Sequence, residues 1–101
     1  MKFIIVERKV NADTIQLIPF IFSKDIVHIT MYDQAKVAIK NDYGVSLVKC
    51  VSAGEVNIGF GGMVFSGEST SLKISCHKNT TEVMKTIEYF NIFMKENNPL
   101  K

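Results

Sequence analysis

The chain carries a single arginine, Arg8, against eleven lysines. Guanidinium is the group best suited to bidentate contacts with phosphate and guanine, so its scarcity argues against a reader of DNA sequence. The net charge of +2 is too small to supply a nucleic-acid surface by itself. No apolar run approaches the ~20 residues of a membrane span, and no membrane partner is expected. The apolar stretch 3–6 stops at Glu7-Arg8-Lys9, too short for the core of a signal peptide. Cys50 and Cys76 lack metal-type spacing and fall in strand-like segments, so they are expected to stay reduced in a cytoplasm. No Cys-x₂-Cys or His-x₃-His step occurs, and neither a metal nor another cofactor is expected.

Phosphate-loop chemistry is missing as well. Gly59-Phe60-Gly61-Gly62 is followed by Met63-Val64-Phe65, a strand-like run and not a helix start, and no Gly-Lys-Ser/Thr triplet occurs. The ten acidic residues are scattered, with no spacing that gathers several carboxylates on one element. Two histidines remain as candidates for catalysis, His28 on the polar face of an extended segment and His77 just ahead of the C-terminal region. Cys76 and His77 are neighbours on a strand and point to opposite faces, so they do not form a nucleophile–base pair.

What is present suffices for one domain spanning 1–101. A hydrophobic content of 47% supports a core without disulfides or metal. Lys2–Arg8 reads as a strand apolar on both faces. Thr14–Phe22 is extended, with Ile15 and Leu17 alternating against Thr14 and Gln16, and Pro19 places it at a sheet edge or a bulge. Ile26–Tyr32 alternates as a strand. Residues 33–41 read as a short helix begun by Asp33 and stopped near Gly44, or else as a strand; the helix is favoured. Val45–Ser52 and Glu55–Phe60 are strands. Gly61-Gly62 predicts a hairpin turn pairing Phe60 with Met63 and Ile58 with Phe65. Leu72–Cys76 forms a last strand.

The final quarter predicts a long helix. Asn79 and Glu82 form a capping box, and Pro99 marks the stop. Val83, Ile87, Phe90 and Met94 make a core stripe at helical period, while Tyr89, Ile92 and Phe93 lie off it as a second apolar face. The expected fold is therefore α+β: a mainly antiparallel sheet of five to seven strands with this helix packed on one face.

The leading functional expectation is a non-enzymatic cytoplasmic protein that binds another protein and also forms a homodimer. Its partner surface combines Tyr89, Ile92 and Phe93 with Phe20 and Phe22 of the run 18–22, where five consecutive apolar residues must expose some side chains. Abundant Lys and Ile suggest AT-rich coding, which suits a phage or mobile-element accessory factor directed at a host protein. The alternative is a single-stranded nucleic-acid binder using Phe20, Phe22, Lys24 and Arg8, since base stacking does not require arginine. A second alternative is a small enzyme using His28 or His77.

Overall fold

A computed structural model describes residues 1–44, 47–59, 62–77, Thr80 and 91–93. Strands β1 (Lys2–Asn11) and β2 (Thr14–Phe22) form a hairpin and lead into helix α1 (His28–Tyr43). Then come β3 (Val48–Gly59), β4 (Gly62–Ser66), the short β5 (Glu68–Ser69) and β6 (Ile74–Ser75), and finally β7 (Asn91–Phe93). The main sheet has the order β4-β3-β1-β2-β7, and β5 and β6 form a small sheet of their own. All pairings are antiparallel except that of β7 with β2.

β1 is central, and its residues 3–6 are buried on both faces, which is why that run shows no polar alternation. One face packs against α1: Ile4, Val6, Phe20 and Phe22 meet Met31, Ala35 and Ile39. The opposite, far face holds a second cluster of Phe3, Ile5, Ile21, Val56 and Phe65, with Phe3 and Phe65 edge to face at 5.0 Å.

The long C-terminal helix is overturned. Asn91–Phe93 is extended and pairs parallel with Phe20–Phe22, so no continuous helix runs through those positions. The outer edge of β2 offers backbone N–H and C=O groups beside the most apolar stretch of the chain, and these require partners. A β-branched and an aromatic residue in Asn91-Ile92-Phe93 suit that edge, and tertiary pairing overrides a helical period. The capping box at Asn79 and Glu82, the stripe Val83, Ile87, Phe90, Met94, and Tyr89 lie outside the described residues.

Three further expectations change. The strand read over Ile26–Tyr32 is not formed, because α1 begins at His28 and the segment 33–41 is its body. The buried set His28, Met31, Ala35 and Ile39 has helical spacing, visible only over a window longer than seven residues. α1 starts after a turn in which Ser23 Oγ accepts the Asp25 N–H, and it ends at Gly44, whose φ of 81° suits glycine and whose N–H reaches Lys40 O at 2.8 Å. The β3–β4 register pairs Ile58 with Met63 and Val56 with Phe65, two positions from the expected one. A shift of two preserves which side chains share a face, so the apolar pattern alone does not distinguish the registers. Finally, the run 18–22 exposes none of its five side chains, since α1 and the far-face cluster cover both sides.

Candidate functional site

The sheet carries a β-bulge at its centre. Ile5 opposes Ser52 and Val6 opposes Cys50, leaving Val51 without a partner across the ladder. Beside this irregularity the far face sinks into a recess of about 250 Å³, lined by Ile5, Leu17 and Val51 with Glu7, Ile15, Ser52, His77 and Thr80 around them. A second concavity of about 380 Å³ shares Glu7 and Ile15 with it and extends to Lys9, Leu47 and Lys49. Ile15 is 55% exposed and Leu47 75% exposed at this end of the sheet. Glu7 pairs with Lys49 at 3.5 Å, so the rim carries both signs of charge.

The wall beyond β3 is held by one hydroxyl. Ser52 Oγ lies 2.8 Å from Thr80 Oγ1 and accepts the backbone N–H of His77 at 3.0 Å. Ser52 and Thr80 are both buried. A nucleophilic serine needs an approachable oxygen beside a base. Ser52 is instead enclosed and bonded to the His77 main chain, a structural role.

His28 also proves structural. It sits at the start of α1, not on a strand, and its Nε2–H donates to Gly54 O at 2.8 Å. The ring is edge to face with Phe22 at 5.4 Å between centroids. Burial lowers its pKa below the usual value, and the Lys2 charge adds to that, so the neutral ring is favoured. Gly54 leaves no room for a side chain: a Cβ there would run into the main-chain oxygen of Ser66. Cys50 has its thiol pushed up to about 11 by burial, which keeps it protonated and unreactive. Cys50 packs with the helix-face cluster and Cys76 with the far-face cluster, and both are free thiols. Among the described residues no group of three or more His, Cys, Asp or Glu is placed to hold a metal. None of the described helices is long and apolar enough to cross a membrane.

The residues singled out from sequence are only partly brought together. Phe20 and Phe22 are 2% and 0% exposed beneath α1, so neither docks a partner nor stacks on a base. Ile92 and Phe93 run beside Ile21 and Phe22 as backbone neighbours, and Tyr89 lies outside the described residues. Arg8 Nε donates to Gln16 Oε1 at 3.0 Å, and its guanidinium lies 4.2 Å over the Tyr43 ring. Lys24 is exposed past the other end of β2, about 20 Å along the strand from Gln16. The nucleic-acid set is thus two buried rings and two cations at opposite ends of a strand. The recess residues Val51, Ser52 and Thr80 had no signal in sequence, because the bulge that gathers them depends on strand pairing, and neither had Leu47 in the adjoining concavity.

No protein family, curated protein or solved structure matches this chain.

Proposed function

We propose that this chain is a non-enzymatic binding protein that docks another protein at the recess end of the far face and that also self-associates. The observation that carries this reading is that Ile15 and Leu47, both more than half exposed, line one concavity beside an apolar hollow floored by Ile5, Leu17 and Val51, with Ile15 common to both. Single exposed apolar residues are ordinary. Two in a concavity that carries Glu7, Lys9 and Lys49 and adjoins an apolar floor match the usual plan of a protein interface, apolar at the centre and polar around it. Burying a side chain such as Leu47 contributes roughly 1.5–3 kcal/mol, a gain that the isolated chain does not collect. Two unpaired thiols, one of them held protonated, fit a reducing cytoplasm.

Site-specific photo-crosslinking in cells tests this. A photoreactive side chain at position 47 is expected to give a protein adduct, whereas one at Val37, 60% exposed on α1, is not. Ile15→Glu is expected to suppress the adduct at 47. Equal labelling at both positions, or at neither, would remove the recess as the docking surface.

A further inference from the structure

We propose that two copies of this chain join by antiparallel pairing of their β2 strands, about a two-fold axis at Gln16. This inference deepens the self-association reading above and rests on the strand edge, whose Ile15 and Leu17 also line the recess. Over Phe20–Phe22 the outer edge of β2 is taken by β7. Among the described residues, nothing pairs with that edge over 14–18.

The direction of the backbone groups follows from two observations. The Lys9 N–H goes to Leu47 O at 2.9 Å, toward β3 and away from β2. Lys9 faces Ile15 across the hairpin, so this is a non-hydrogen-bonded pair, and the N–H and C=O of Ile15 point outward. Leu17, two residues on, repeats the phase. Pro19 opposite Ile5 has it too, at a position where a missing N–H costs no bond to β1.

Only one two-fold register uses these outward groups fully. An axis at Leu17 sets Ile15 against Pro19 of the second copy, which has no donor. An axis at Ile15 sets Leu17 against Asp13, whose N–H is already given to Asn11 Oδ1 at 2.9 Å. An axis at Gln16 sets Ile15 against Leu17 twice, and both N–H and both C=O groups of each strand are paired, giving four bonds.

The side chains agree with that register. Residues 14–18 carry no charge, so no like charges oppose one another, and no lysine guards the edge. Ile15 of each copy meets Leu17 of the other on the far face. Gln16 meets Gln16 on the helix face, where Arg8 holds its Oε1 and turns its amide N–H₂ groups free to donate across the axis. Five residues from each strand make a contact well below the about 1,200–2,000 Å² of a standard interface, so the dimer is concentration-dependent.

Analytical ultracentrifugation of the full chain from micromolar to millimolar concentration is expected to show a reversible monomer–dimer equilibrium. Leu17→Pro removes an outward N–H without touching the β1 ladder. It is expected to weaken dimerisation by an order of magnitude or more with an unchanged circular dichroism spectrum. Independently of that variant's folding, Gln16→Cys in a Cys76→Ser background is expected to form a symmetric disulfide on oxidation. Non-hydrogen-bonded antiparallel partners lie about 4.5 Å apart at Cα, within disulfide reach. Thr14→Cys in the same background is expected not to cross-link. A monomer throughout the range, a dimer that folded Leu17→Pro leaves intact, or equal cross-linking at 14 and 16 overturns the proposal. The photo-adduct at position 47 reports on the recess separately, so loss of one result without the other tells which reading has failed.

Discussion

The inner and outer halves of β2 are paired to the same strand and built from similar apolar residues, yet they end in different surroundings. Residues 18–22 are enclosed on both faces, with β7 along Phe20–Phe22, while Thr14 and Ile15 are exposed and Gln16 and Leu17 half-buried. Side-chain type does not separate them, since Ile15 and Leu17 are as apolar as Ile18 and Ile21. Coverage does. α1 lays Met31, Ala35 and Ile39 over Ile18, Phe20 and Phe22 on one face. On the other, Phe3, Val56 and Phe65 enclose Ile21, reach Leu17 only in part and leave Ile15 outside the cluster. Stability is therefore concentrated in the inner half, and the proposed association draws on the outer one.

Paired truncations test that division most strongly. Phe22→Ala is expected to cost about 3–5 kcal/mol, the range for a buried aromatic cut back to a methyl group. Ile15→Ala is expected to stay within about 0.5 kcal/mol, as surface substitutions do. Urea unfolding followed by circular dichroism measures both. Comparable losses would mean that the outer half is as enclosed as the inner.

A second contrast lies along β3. Gly54→Ala places a methyl group against the main chain of Ser66 and Gly67, and backbone cannot rotate away as a side chain can. It also disturbs the carbonyl that His28 holds. The expected cost is about 1–3 kcal/mol. Gly59, in the same strand, has nothing within 4 Å of its Cβ position, and Gly59→Ala is expected to change stability by less than about 0.5 kcal/mol. If the two substitutions cost the same, the close approach at Gly54 is not what holds the β4–β5 turn.

The clamp between α1 and β3 also gives the enclosed half a pH dependence. Burial lowers the His28 pKa in the fold, so the unfolded chain takes up its proton first as pH falls. The contribution is complete above the ordinary histidine pKa of about 6.5 and is lost progressively below it, until the folded-state pKa is passed. Urea midpoints from pH 8 to pH 5, taken as roughly this window around the histidine value, are expected to fall for the native chain. They should fall less for His28→Gln, which keeps a donor for Gly54 O and removes the titration. Parallel curves for the two proteins would place the pH sensitivity elsewhere.

Particular residues show how far the chain was readable before its structure. The doubly apolar run 3–6 and the strand over 14–22 were visible because their signals lie within a few neighbouring side chains. Val56, Ile58, Met63 and Phe65 were assigned to a shared face, which any even shift of register preserves. Other features rest on partners distant in the chain. Asn91–Phe93 became a strand because β2 had an edge to fill. His28 began a helix whose period needs Ala35 and Ile39 to appear. The recess at Val51 depends on a bulge set by β1. Phe20 and Phe22 look like surface candidates because a run of five apolar residues is expected to expose some of them, unless both faces of the strand are covered, as they are here by α1 and the far-face cluster. Of the recess residues, Ile15 and Leu17 were assigned to one face of a strand, but nothing in their neighbourhood announced that the face would stay partly open.

The smallest expected effect concerns a residue that helps seat α1 from outside the main sheet. Ser71 Oγ accepts the Ile29 N–H at 3.1 Å, satisfying an otherwise unpaired donor in the first turn of the helix. The turn that presents Ser71 contains Lys73 at a φ of 56°, a left-handed conformation that costs a residue with a Cβ roughly 1 kcal/mol. Lys73→Gly relieves that strain, but glycine also gives the unfolded chain more freedom, worth about 0.5–1 kcal/mol in the opposite direction. The two nearly cancel, and Lys73→Gly is expected to shift stability by no more than about 0.5 kcal/mol. A β-branched residue has no such offset, and Lys73→Ile is expected to cost more than about 1 kcal/mol. Thermal unfolding of the pair distinguishes turn strain from side-chain contacts, because loss of the lysine is common to both variants. If glycine and isoleucine destabilise equally, the lysine side chain and not the backbone angle is what the turn requires, and the seating of α1 depends on a contact of Lys73 instead of on the shape of the chain around it.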